Sequence, residues 1–189
     1  PTKRGTLYAG TVNGGVWRTT NAYNASPRWK KLTDEETSLS IAALEFDPLD
    51  SNDRTLVASI GNTSSFGVAG PLSGLLYTTN GGNSWTAIDG GGVLLNKSIW
   101  GVAARKDTFV VAVRSALPAS TFGTVGVFRS SDGGASFTQI SNGDGTATGL
   151  PGGIVFDLAS DPNNNSRLFT GVTSAEPVGG VNGIYRSDD

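Results

Sequence analysis

Short apolar runs broken by Gly, Asn, Asp and Pro recur along the whole chain, and no window spaces its apolar residues as a helix would. In "TFVVAVRS", Phe109, Val111 and Val113 point one way, and Val110 and Ala112 the other. Both sets are apolar, so the strand must be covered on both faces, as in sheets stacked on one another. The runs fall into groups. The chain opens with "TLYAGTV", "GVWRTTN" and "RWKKL". Then come "SIAALEFDP", "TLVASIG", "GLLYTTN" and "SWTAI", followed by "SIWGVAAR", "TFVVAVRS", "GVFRSSD" and "SFTQI". The last group is "GIVFDLASDP", "RLFTGVTS" and "GIYRSDD". The expectation is an all-β chain grouped in three, four, four and three strands.

The groups are copies of one unit. "YTTNGGNSWTAI" from Tyr77 returns as "FRSSDGGASFTQI", which sets Asp132 fifty-two residues after Asn80. Asn21 holds the same place fifty-nine residues before Asn80, and Asp189 fifty-seven after Asp132. A period of this length predicts a β-propeller or another stacked array. The blade parts fall at 1–33, 38–89, 97–141 and 153–189, about three and a half four-stranded antiparallel blades. Closed propellers hold roughly four to eight. The chain is therefore expected to be part of a larger propeller, with ring closure by neighbouring subunits as the alternative.

The motif has a local physical purpose. The side-chain oxygen of Asn80 or Asp132 is suited to accept backbone N–H groups just after it, closing an Asx turn. The Gly pair that follows supplies positive φ without a Cβ clash. Thr78, Ser130, Ser84 and Ser136 offer hydroxyls, and Trp85 and Phe137 open the outer strand as plugs on the blade. Trp29 is expected to do the same beyond Asn21, after a lengthened turn. The pattern Ser/Thr-x-Asp/Asn-Gly-Gly-x-Ser/Thr-Trp/Phe resembles the Asp-box, or BNR, repeat. Sialidases, xyloglucan-cleaving endoglucanases, sortilin-type receptors and photosystem II assembly-factor propellers carry it. The resemblance implies a propeller whose structural box residues are Asn21, Asn80, Trp85, Asp132, Phe137 and Asp189, lying away from the binding face.

Composition removes several kinds of chemistry. Cys, His and Met are absent from all 189 residues. No thiol nucleophile, Ser-His-Asp triad or ordinary zinc or copper site is possible. With 14 basic and 16 acidic residues scattered along the chain, no basic stripe suits a nucleic acid. No apolar run approaches the length of a membrane span. "DPLDSND" (47–53) and "DPNNNS" (161–166) are oxygen-rich, but they read as Asp-Pro turns rather than calcium loops. No cofactor and no metal are expected. A cysteine-free chain rich in Gly, Ser, Thr and Asn fits an exported bacterial protein, extracellular or at the cell surface. The periplasm or thylakoid lumen is the alternative. A start at Pro1 suggests a mature or excised piece.

Recognition belongs to the long loops on one end of the blades. These are 61–74, 115–126 and 173–183 between second and third strands, and 33–40, 89–98 and 141–153 entering the innermost strands. Candidate ligand-binding residues on them are Phe66, Arg114, Phe122, Glu176, Asp34 and Glu35, with Glu36 and Asp144 as further polar groups. Trp17 and Trp100 are additional aromatics for sugar stacking. Arg18, Arg129 and Arg186 recur with the repeat on third strands, so they do not form the arginine cluster of a sialidase. "AGTVNGGVWR" (9–18) resembles the endoglucanase segment that carries a catalytic Asp, with Val12 in the Asp position and Asn13 beside it. The resemblance thus implies that one of two catalytic carboxylates is missing, and no catalytic residue is assigned. The expected function is a non-catalytic binding or structural module of a larger secreted or surface protein, recognising a glycan or a protein. The alternative is a fragment of a xyloglucanase-like or sialidase-like glycoside hydrolase.

Overall fold

The computed structural model describes residues 5–117, 123–143, 149–176 and 180–188. They form four antiparallel sheets and no helix. The first holds β1 (Leu7–Thr11), β2 (Gly15–Thr19) and β3 (Trp29–Lys31). The second holds β4 (Ile41–Phe46), β5 (Leu56–Ile60), β6 (Leu75–Thr78) and β7 (Thr86–Ile88). The third holds β8 (Lys97–Arg105), β9 (Thr108–Ala116), β10 (Gly126–Ser130) and β11 (Thr138–Gln139). The fourth holds β12 (Gly152–Asp161), β13 (Asn164–Glu176) and β14 (Gly183–Ser187). Each sheet is a meander in which sequence neighbours pair, and the strand numbers match the expected three, four, four and three.

The sheets stack face to face, and strand alternation decides which core each residue enters. Phe109, Val111 and Val113 of β9 join Val57, Leu75 and Ile99 between the second and third sheets. Val110 and Ala112 point the other way, toward Val155, Leu158 and Val172 of the fourth. Val16, Ile41, Ala58, Ile60 and Leu76 fill the space between the first and second sheets. Edge-to-face ring pairs reinforce two of these seams: Tyr8 with Phe46 at 5.4 Å and Tyr77 with Phe109 at 5.2 Å. The inner edge strand β8 packs against β4 on one side and β12 on the other, so the innermost strands lie side by side along the axis.

The repeated turns staple each outer hairpin. Asn80 Oδ1 accepts from the N–H groups of Asn83 (2.9 Å) and Ser84 (3.0 Å), and the Thr78 hydroxyl donates to it at 2.9 Å. Asp132 accepts from Ser136 N–H (3.1 Å), the Ser136 hydroxyl (2.6 Å) and the Ser130 hydroxyl (2.7 Å). Asn21 lacks the Gly pair, yet its Oδ1 still reaches Arg28 N–H at 2.9 Å, just before Trp29. Asp189 lies outside the described residues. These turns lock onto the preceding sheet: a Cβ on Gly134 would stand 2.5 Å from Ile88, and one on Gly82 would stand 2.6 Å from Leu32. That contact explains why Trp29 departs from the plug expected of it. Trp85 packs partly buried on the first core and Phe137 is buried, but Trp29 is 41% exposed. Among the described residues no sheet precedes the first to cover it.

Candidate functional site

The innermost strands of the second, third and fourth sheets share an irregularity near the end that the long loops surround. The ladder slips between Ile41 and Ala43, between Ile99 and Gly101, and between Val155 and Leu158. The extra residues are Ala42, Trp100, and the pair Phe156 and Asp157. β9 carries a second slip opposite β8, where Ser98 pairs with Ser115 and Ile99 with Val113, leaving Arg114 unpaired. A bulge inserts a residue without a ladder partner and re-aims its side chain. Here three of the re-aimed residues meet.

Arg114 Cζ lies 4.1 Å from the Trp100 ring centroid and 4.9 Å from that of Phe156. The two rings stand edge to face at 6.1 Å and 85°. Trp100 Nε1 donates to Ser98 Oγ at 3.1 Å, and the same oxygen accepts from Asn62 N–H at 2.8 Å, which ties the loop after β5 to this corner. Arg114 Nε is buried without a hydrogen-bond partner, as is Asn62 Oδ1. None of the ion pairs among the described residues involves Arg114. Phe156 remains 42% exposed, and Asp157 beside it is exposed with Oδ1 accepting from Leu158 N–H.

The other candidates are scattered. Phe66 is 90% exposed in the loop after β5, held by a hydrogen bond from its N–H to Ser64 Oγ. Asp34 pairs with Lys31 at 3.2 Å in the loop between the first and second sheets, where Glu35 is also exposed. Phe122 and Asp144 lie outside the described residues. Glu176 closes β13 opposite Gly152, and its side chain lies outside the described residues. Trp17 is turned to its own turn, donating to Gly14 O at 2.7 Å, with Lys31 Nζ 5.4 Å from its ring. Val12 is exposed, and the Asn13 carboxamide is taken up by the Ser40 hydroxyl (2.8 Å) and Val68 O (3.3 Å). Sequence reasoning missed Phe156.

Two further features are structural. Arg18 donates to Gly81 O at 2.7 Å, across the first seam. Arg129 and Arg186 line a cavity of about 540 Å³ between the outer parts of the third and fourth sheets, where Arg186 pairs with Asp188 at 3.0 Å. The "DPLDSND" turn spends its oxygens on itself. Asp50 accepts from the N–H groups of Asn52, Arg54 and Thr55, which hold its carboxyl down to about 2.

No protein-family model matches the chain, and no curated protein matches it. Solved structures do. The crystal structure of an ancestral GH74 enzyme is similar over all of this chain and 22% of its own, with TM-score 0.63 and 19% identity. The GH74 enzyme of Niastella koreensis is matched over all of this chain and 35% of its own, with TM-score 0.48 and 19% identity. The chain therefore spans about a fifth of the first of these proteins. With the four stacked meanders, the first likeness establishes the fold as part of a β-propeller.

Proposed function

We propose that this chain is a non-catalytic β-propeller module that binds a glycan at the corner formed by Trp100, Arg114 and Phe156. The observation that carries the reading is the convergence of three bulged residues from three strands on one partly exposed corner. Bulges cost ladder bonds, and aromatic rings left open beside long loops suit the apolar faces of sugar rings. Phe66, Phe122, Glu176, Asp34 and Glu35 are proposed as further ligand contacts, separate from this corner. The likeness to a GH74 enzyme agrees with a carbohydrate ligand. Glycosidic hydrolysis needs two carboxyl groups about 5–9.5 Å apart across the bond. Val12 stands where the resemblance expects one, and Asp34 is engaged by Lys31. The exposed sheet faces at either end, with Leu7 51% and Ile184 84% exposed, suit contact with further blades or a neighbouring subunit. We place the module in a larger secreted or surface protein.

The test is affinity electrophoresis in gels holding soluble xyloglucan, mixed-linkage β-glucan or polygalacturonate, with reducing-end release measured in parallel. Retardation by at least one polysaccharide, lost in Trp100→Ala, with no new reducing ends, is expected. Migration unchanged in all three would refute glycan binding. One observation favours a second reading, as part of a glycoside hydrolase: Asp157 presents a carboxylate beside Phe156. Release of reducing ends that disappears in Asp157→Asn would establish it.

A further inference from the structure

The chemistry of Arg114 narrows the ligand class, and the inference rests on the glycan reading above. We infer that the Arg114 corner reads a carboxylate, so that the sugar it selects is a uronic acid. A guanidinium has no acceptor capacity, and all five of its N–H donors lie in its plane. Trp100, at 4.1 Å, is close enough to cover one face of that plane, and Phe156, perpendicular to Trp100, closes another side. With Nε buried, the part of the edge left for a ligand is the Nη end, which matches two carboxylate oxygens at once.

The charge is also unanswered. Elsewhere in the molecule Arg105 has Glu45, Arg167 has Asp161 and Asp188, and half-buried Arg18 has the Gly81 carbonyl. Arg114 has no such partner among the described residues, although Asp157 follows Phe156 directly in β12. Its Nε is buried and makes no hydrogen bond. A half-buried cation with no anion beside it gains most from an anion that arrives with the ligand. A neutral sugar hydroxyl satisfies a donor but leaves the charge. A sugar ring carrying a carboxylate satisfies both, with its apolar face free to rest on the exposed Phe156 ring.

The experiment uses one backbone in two charge states: oligogalacturonate and its fully methyl-esterified form, titrated calorimetrically against the whole chain. The carboxylate form is expected to bind about tenfold tighter or more, the size of a hydrogen-bonded charge contact. That preference should shrink as salt rises. Arg114→Gln should bring the two forms to equal affinity. Arg114→Lys keeps the charge but loses the planar edge and should lose most of the preference. Equal binding of both forms by the unaltered chain overturns the inference and leaves the glycan reading standing, whatever the variants do. Binding of neither form, with retardation by xyloglucan or β-glucan, also overturns it and keeps the glycan reading. No binding to any of these probes overturns both.

Discussion

At Asp132 two hydroxyls and a backbone N–H converge on one exposed carboxylate. The Ser136 hydroxyl contributes most, then the Ser130 hydroxyl, then Ser136 N–H, and together they hold its carboxyl at about 2, below its ordinary 3.8. The sign of the pH effect follows. The unfolded chain takes up this proton near pH 3.8 while the folded chain resists until about 2, so the turn's contribution is whole above pH 4 and drains away toward pH 2. Asp132→Asn should copy the Asn80 turn, in which Nδ2 donates to Ser84 Oγ at 2.8 Å. The expected result is an unchanged melting temperature at pH 7 and a flatter loss between pH 4 and 2; an unaltered acid slope would refute it. The neighbouring glycines separate backbone strain from packing. Gly133 and Gly134 both have positive φ, at 73° and 89°. A Cβ on Gly133 meets nothing within 4 Å, whereas one on Gly134 meets Ile88 at 2.5 Å. Gly133→Ala should therefore cost about 1–2 kcal/mol in urea denaturation. Gly134→Ala should cost about 1–3 kcal/mol more, from overpacking against Ile88. Equal losses would mean that the turn does not seat on the preceding sheet.

The strands themselves were readable where alternation is regular. In β9 the letters Phe-Val-Val-Ala-Val announce two buried faces, and the structure assigns them to separate cores. The bulges were not readable, because an inserted residue looks like one more letter of an apolar run. "SIWGV" gives no sign that Trp100 is skipped by the ladder, and "VFDL" none that Phe156 turns away from Val155. Arg114 and Trp100 could each be proposed from the sequence, as a charge at the mouth of a long loop and as a ring for sugar stacking; Phe156, and the meeting of the three, could not. Gly101, directly after the bulge, is what lets the third and fourth sheets approach. A Cβ there would lie 2.6 Å from Leu158 N and 2.7 Å from Leu158 Cβ, and backbone cannot swing aside as a side-chain tip does. Gly101→Ala should push β12 from β8 and carry Phe156 away from Trp100 and Arg114. The measurable result is a loss of about 1–3 kcal/mol of stability together with a changed Trp100 emission. Lost stability with unchanged emission would show that the corner holds without this close approach.

Across the molecule, one polar cluster joins the far ends of three successive innermost strands. Arg105 at the end of β8 donates to Glu45 of β4 at 3.3 Å, to Ser160 Oγ of β12 at 2.8 Å and to Asn165 O at 2.7 Å, while the Ser160 hydroxyl donates to Glu45. Both charges are mostly shielded, with side-chain exposures of 14% for Arg105 and 23% for Glu45. Removing the arginine strands a carboxylate. Arg105→Ala should cost about 3 kcal/mol, the lower end for a shielded pair because some water still reaches Glu45. In a double-mutant cycle with Glu45→Ala, most of that cost should vanish once the carboxylate is gone, and additive losses would deny the coupling. Burial raises the Glu45 carboxyl above its ordinary 4.5, more than the Ser160 hydroxyl and Arg105 lower it. The folded chain thus keeps a proton that the unfolded chain has released, and stability declines as pH climbs from 4.5 through the folded value. Asp132 and Asp50 act in the opposite sense below pH 4. These groups together place greatest conformational stability in mild acid, close to the pI of 5.1 at which net charge vanishes and self-association is least opposed. Urea midpoints should therefore peak near pH 4–5 while solubility is lowest there, and Glu45→Gln should move the urea optimum upward without moving the solubility minimum far. An optimum unmoved in Glu45→Gln would show that the buried carboxylate does not set the pH response of the stacked sheets.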